Sequence, residues 1–518
     1  MYSQFHCDGF FLPILPKSIK SVTFAAGIRK EDRYFEMDDK SGLGRLVALL
    51  FLTMLFCAGM YFLPASVLGY KIKRVDLLSD FKVEEKALSL DSLRLMLEEP
   101  DTIQVDSALI RDSLQRVVGI DSAMLALRDS LYQTLYAARE ADSLGKRVED
   151  YSLGHIGLRH FFAALKQGET LGRPVRVAFL GDSFIEGDIL VADLRAALQQ
   201  AFGGEGVGFV PVNSVAAKFR PTVKQEGEGW QTISMLDSAQ SVFTPSGMLF
   251  LPDGERPEIR IDAQDTYTKQ PLPDALKLLY ARNGHARIRR VMDTQADTSF
   301  FELPPSDRIA EYRLNGSFQK MTLGFSEVEG LEMLGTVMES ESGIIVDNYS
   351  LRGNSGMVLD RLDSARCRQL NEVRPYDLVI MQYGLNVVND TIMNYGWYGS
   401  RMRKVVHHVK ACFPEADLLL VGVSDRSRMV NGQFETIPAV LSLLYTQRQV
   451  ARQTGIVFWN LFGAMGGVNS MTRYVEKNWA GKDYTHLGFR GGKEIAKALF
   501  DALLLEKEFY DEVDKQLE

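Results

Sequence analysis

Cysteine is scarce in this chain. Cys7, Cys57, Cys367 and Cys412 are the four in 518 residues, and no two stand in CxxC spacing. This argues against a thiolate zinc site and a disulfide framework. Cys367 and Cys412 read as small buried residues or, in an oxidising compartment, as a pair. A basic surplus is also missing: 59 Lys and Arg face 67 Asp and Glu, for a formal net charge of −8, with no concentrated basic tract. Binding to a phosphate backbone needs a positive face, so nucleic acid is not expected as a partner. Histidine is sparse as well, seven in all, few enough to weigh each as a general base.

Long hydrophobic runs are missing but for one. Residues 46–70, LVALLFLTMLFCAGMYFLPASVLGY, carry no charge and lie between Arg45 and Lys71. A helix crossing a bilayer needs roughly 20 such residues, and this run is apolar on every face, so it reads as an uncleaved transmembrane helix. Basic residues flank it on both sides, Arg29, Lys30, Arg33, Lys40 and Arg45 before it and Lys71, Lys73, Arg74, Lys82 and Lys86 after it. Charge therefore does not decide its orientation. Residues 1–45 read as a polar tail, disordered or preceding a true start at Met37. Residues 71–150 alternate charged and leucine-rich stretches, with Asp-Ser pairs suited to capping short helices. They read as a helical stalk able to self-associate; sustained heptads, which a coiled coil would need, are absent.

From about Tyr151 the pattern becomes α/β. The short apolar runs VRVAFLG, DLVIMQYG, DLLLVGV and IVFWN alternate with amphipathic segments, as in a doubly wound parallel sheet covered on both faces. The alternation fails over residues 214–342, where short strands punctuated by Gly, Pro, Asn and Asp predict an inserted antiparallel β-sandwich. It would bind or position a substrate, or be a passive insert. The α/β domain is thus split into residues 151–213 and 343–518.

In such a sheet, reactive groups collect beyond the carboxyl ends of the strands. VRVAFLG runs into Gly181, Asp182 and Ser183. Either Ser183 or Asp182 caps the helix beginning near Ile189, or the Ser183 hydroxyl performs chemistry. A hydroxyl nucleophile needs a base. His6 precedes the apolar run, His155 and His160 lie on a leading helix, His285 lies in the insert, and His407 and His408 are adjacent on an amphipathic helix. His486 differs, because Asp483 stands three residues before it in WAGKDYTHLGFRGG, ahead of the last helix. Across one turn that carboxylate can accept from Nδ1 and leave Nε2 for the Ser183 proton. The alternative is that Asp483 or Thr485 merely caps the helix. Acyl transfer also needs donors to a developing oxyanion. RGNSG offers the Gly356 amide and YGLN the Asn386 side chain, each otherwise a turn residue.

The ordered set GDS (Ser183), NSG (Gly356), GLN (Asn386) and DYTH (Asp483, His486) resembles the SGNH (GDSL) hydrolases, whose name lists those residue types. The likeness spans about residues 175–505 apart from the insert. It resembles most the peptidoglycan O-acetylesterase branch, which carries a carbohydrate-binding-like sandwich between the first and second blocks. The resemblance implies Ser183 as nucleophile, His486 as base and Asp483 as its partner. It implies an oxyanion hole from the Ser183 and Gly356 amides and the Asn386 side chain, with no metal or cofactor. Two positions depart: Val387 follows Asn386 where the family often has Asp, and Phe184 follows Ser183 where some members have His. The expectation is a membrane-anchored esterase facing the periplasm from the inner membrane, acting on an O-acetylated polysaccharide, with peptidoglycan leading. An O-acetyltransferase or a non-catalytic glycan-binding scaffold are the alternatives.

Overall fold

The computed structural model describes residues 66–67, 70–71, 122–138 and 145–517, less 239–241, 272, 274 and 295. Most of the expected membrane span and the stalk up to residue 121 lie outside the described residues. Where the span is described, near its end, Ser66–Val67 pairs antiparallel with Tyr70–Lys71, so the helix expected to reach residue 70 does not run through it. Val67 and Tyr70 are strand-prone residues on either side of Gly69. Among the described residues no helix is long and apolar enough to cross a membrane.

The α/β part is built on a six-stranded sheet. Counted along the chain, its parallel strands are Val175–Gly181, Ile344–Ser350, Leu378–Gln382, Asp417–Val421 and Val457–Trp459. They lie in the order 2-1-3-4-5, the flavodoxin-like arrangement, whose switch point falls between the first and third strands. The strands are buried along their whole lengths, apart from the final Ser350, which is why most of them read as short apolar runs; Ile344–Ser350 is the exception, with Asp347 and Asn348 buried in it. The sixth strand, Val148–Asp150, pairs antiparallel with Val457–Trp459 at the edge. It belongs to the segment read as stalk. VED is too short and polar to show a strand period; only pairing with Val457–Trp459 makes it one.

The helix Ser122–Ala138 also differs from the expected free-standing stalk. It lies against the C-terminal helix Phe489–Leu517. Leu125, Arg128 and Tyr132 form one stripe at helical spacing and are all buried. Tyr132 Oη donates to Glu506 at 2.9 Å, and the Arg128 guanidinium stacks on Tyr510 and pairs with Asp514.

The insert is two antiparallel sheets facing each other over a separate core that includes Phe250, Ile261, Leu278, Tyr280, Leu323, Phe325 and Met333. Its first strand, Gly208–Val210, pairs with Glu332–Met338 upstream of the expected boundary at 214. The join to the α/β part combines apolar packing, with Phe209, Leu279 and Val337 in one core with Leu180 and Ile344, and buried ionic groups. Arg374 is fully buried between Asp347 at 2.7 Å and Glu339 at 2.7 Å, and Glu339 also meets Arg176 and Lys277. A second cluster centres on Asp188, buried and bonded to Arg195, Arg220, Thr222 and Asn348. Burial alone would raise the Asp188 carboxyl, but the two guanidinium groups outweigh it and hold it well below the usual carboxylate range. Cys367 and Cys412 are buried and free.

Candidate active site

The register of the sheet sets the site. Gly181 is level with Ser350 on one side and Gln382 on the other, so the three loops that follow leave the carboxyl edge together at the switch point. After Gly181 the chain turns sharply: Asp182 Oδ1 accepts from the Phe184 amide at 2.9 Å and its carbonyl from Ile185. Asp182 and Phe184 are buried, while Ser183 between them is partly exposed. The following helix, Val191–Phe202, has Leu190 at its N-cap and no side-chain cap. Neither Ser183 nor Asp182 serves as that cap.

Ser183 Oγ lies 3.2 Å from His486 Nε2. His486 Nδ1 lies 2.7 Å from Asp483 Oδ2. A carboxylate only accepts, so Nδ1 carries the proton and Nε2 is left as the acceptor for the serine hydroxyl. Asp483 also accepts from the backbone amides of Thr485 and His486 at 3.1 Å each. Those bonds fold the turn on itself rather than cap the helix that starts at Phe489. Burial opposes ionisation of Asp483, but the His486 and Thr485 hydrogen bonds together outweigh it and lower its pKa. Three of the other histidines are occupied elsewhere: His160 bonds Asp377 at the amino edge of the sheet, His155 stacks on Tyr132, and His408 bonds the Leu362 carbonyl.

Gly356 and Asn386 arrive on the neighbouring loops. Gly356 has φ +86°, and a Cβ there would stand 2.9 to 3.0 Å from the Tyr383 ring, so both conformation and space call for glycine. Its amide donates to Asn354 Oδ1 at 2.8 Å. Asn386 Nδ2 donates to Asp182 Oδ2 at 2.8 Å and to the Asn354 carbonyl at 3.0 Å. The Ser183 amide has no hydrogen-bond partner among the described residues. A substrate oxyanion would therefore take the Ser183 amide directly and compete with Asn354 for the Gly356 and Asn386 donors.

Two residues escaped the sequence reading. Asn354 is buried and ties Gly356 to Asn386; its only signal is its place two residues before Gly356. Asp182, read as a candidate helix cap, is instead the acceptor that orients Asn386. Burial raises it from 3.8 to about 6, against the Phe184 amide, the His486 charge and the Asn386 hydrogen bond. The assembled groups are those of an acyl-transfer site: a hydroxyl, a base within reach, a carboxylate on the base, and amide donors opposite. Among the described residues no group of His, Cys, Asp and Glu is arranged to hold a metal.

No protein-family model matches the chain, and no curated protein is similar enough to match. Solved structures do. A peptidoglycan O-acetylesterase superposes with a TM-score of 0.55 at 20% identity, over 70% of this chain and 99% of that one. A family two carbohydrate esterase from Cellvibrio japonicus aligns over 56% of this chain and 99% of its own, with a TM-score of 0.25 and 9% identity. An acetyl xylan esterase aligns over 31% and 81%, with a TM-score of 0.23 and 13% identity. The first likeness bears on the fold alone: the chain shares an SGNH hydrolase fold.

Proposed function

We propose that the chain is a serine esterase that removes O-acetyl groups from a polysaccharide of the cell envelope, with peptidoglycan as the leading substrate. The observation that carries this reading is the continuous chain from Ser183 Oγ through the His486 ring to Asp483. The Ser183 oxygen attacks the acetyl carbonyl while its proton passes to His486 Nε2, and Asp483 steadies the imidazolium. The Ser183 and Gly356 amides and the Asn386 side chain receive the negative oxygen. His486 returns the proton to the departing sugar oxygen, leaving acetyl on Ser183. Water then attacks with its proton taken by His486, acetate leaves, and the serine is restored. Support for an acetylated glycan as substrate is the fold shared with a peptidoglycan O-acetylesterase, over 70% of this chain.

The test is acetate release by the full chain from O-acetylated peptidoglycan and from acetylated xylan, each with and without an acceptor glycan. Hydrolysis of the first supports the proposal; a preference for xylan moves the substrate, and transfer without hydrolysis makes the chain an acetyltransferase. A fluorophosphonate that labels the wild type but not Ser183→Ala would assign the nucleophile, and no labelling of the wild type would favour a glycan-binding scaffold. The apolar run at 46–70 supports a membrane anchor with the catalytic part on the periplasmic side of the inner membrane. Alkaline extraction of membranes and protease protection of spheroplasts test that placement.

A further inference from the structure

We propose that the hairpin spanning residues 427–436 is a brace that sets the Asp483–His486 turn against the Asn386 loop, with Phe434 as its positioning residue. This rests on the esterase reading above. In the hairpin, Ser427–Val430 pairs antiparallel with Gln433–Thr436 in register Ser427 to Thr436 and Met429 to Phe434. Asn431 and Gly432 form the turn, both at positive φ, 49° and 85°, as two-residue hairpin turns favour.

The root of the hairpin is locked. Asp425 is fully buried and accepts from Thr436 Oγ1 at 2.8 Å and the Met471 amide at 2.7 Å. The Thr436 amide donates to Asn469 Oδ1 at 2.9 Å, and the Asn469 amide returns to Thr436 Oγ1 at 2.7 Å. From that root the two strands reach both sides of the catalytic edge. On one side, the Ser427 amide donates to the Tyr484 carbonyl at 3.2 Å. The Phe434 ring lies parallel to the Tyr484 ring, 3.5 Å between centroids and 8° between planes. On the other, Arg428 pairs with Asp390 at 2.9 Å and Arg426 donates to the Val388 carbonyl at 3.4 Å. Both partners belong to the loop that begins at Asn386.

Tyr484 is the reason a brace is needed. It stands directly after Asp483 with φ +53°, a left-handed conformation that a bulky residue holds only when its surroundings impose it. The Asp483 carboxylate and the His486 ring are aimed by that turn. The hairpin contributes little to any core, since Met429, Asn431, Gly432, Gln433 and Glu435 are exposed. Its contacts are spent on the two loops that must meet at Ser183, where misplacement by about 1 Å can cost about a hundredfold in rate.

The experiment compares kcat and KM of the full chain on 4-nitrophenyl acetate. Phe434→Ala is expected to lower kcat about tenfold to a hundredfold with KM changed less than about twofold, and Phe434→Tyr to restore most of the loss. Glu435→Gln, exposed on the same hairpin, keeps the wild-type kcat. If Phe434→Ala does not fold, Phe434→Leu, which keeps bulk but not the stacked ring, takes its place in the same comparison. Wild-type kcat in Phe434→Ala or Phe434→Leu, or an equal loss in Phe434→Tyr, overturns the brace. A wild type that neither hydrolyses the ester nor takes a fluorophosphonate on Ser183 overturns the esterase reading, and the brace with it.

Discussion

The Asn386 side-chain amide is held by the Asp182 carboxylate at 2.8 Å, on the residue just before the candidate nucleophile. The loops after the first and third parallel strands are thereby tied together through a carboxylate with no exposure to solvent. Asp182→Asn should weaken that hold and lower kcat on acetyl esters by about tenfold or more, toward the loss seen when an oxyanion donor is removed.

The same residue predicts a pH signature in stability. Burial raises the Asp182 pKa from 3.8 to about 6. The folded value lies above the unfolded one, so its contribution to stability is fully present below pH 3.8 and is lost as pH rises through about 6. Asp182→Asn does not titrate there. Its melting temperature should gain on the wild type between pH 4 and 7, and parallel melting curves across that range would contradict a buried, titrating Asp182.

Ser183→Ala and His486→Ala should each remove all but a trace of esterase activity, by about 10³-fold or more, and the double variant should be little worse than either. The check is kcat/KM for all three on one acetyl ester. Losses that add would mean the two groups act separately.

Gly356→Ala should fold but work poorly. The new methyl would press on the Tyr383 ring from 2.9 to 3.0 Å and strain a backbone at φ +86°, moving the amide meant for the oxyanion. A fall of about 10² in kcat with KM nearly unchanged is expected. Steady-state kinetics beside a melting curve distinguishes this from simple unfolding.

The docking of helix Ser122–Ala138 should loosen in alkali. Glu506, bonded by Tyr132, is raised from 4.5 to about 8 by burial, with Asp150 adding and Tyr132, Arg147 and Arg128 opposing. Its stabilising contribution is present below pH 4.5 and lost as pH rises through about 8, at up to about 1.4 kcal/mol per pH unit. Hydrogen exchange at residues 124–134 should accelerate between pH 6 and 8.5 beyond its intrinsic pH dependence, and Glu506→Gln should abolish that excess.

The parallel strands and the four site blocks were legible in the sequence because their causes are local. Strands buried on both faces are mostly apolar, and a residue placed beyond a strand end by a short turn keeps its Gly, Asp or Asn neighbours in view. The pairing of Asp483 with His486 was readable for the same reason, being three residues apart in one turn. Val148–Asp150 and the docking of Ser122–Ala138 were not, because their partners lie hundreds of positions away and their own residues carry no distinctive period.

By itself the sequence determined the class of sheet, the presence of an antiparallel insert and the residue types able to perform acyl transfer, since hydrophobic periodicity and turn chemistry are written in neighbouring residues. Only the tertiary structure decided that Ser183 stands within reach of His486, that Asp182 and Asn354 govern Asn386 and Gly356, and that Phe434 lies on Tyr484. Those contacts arise from sheet order and register, which depend on which distant segments satisfy one another's backbone and buried surface.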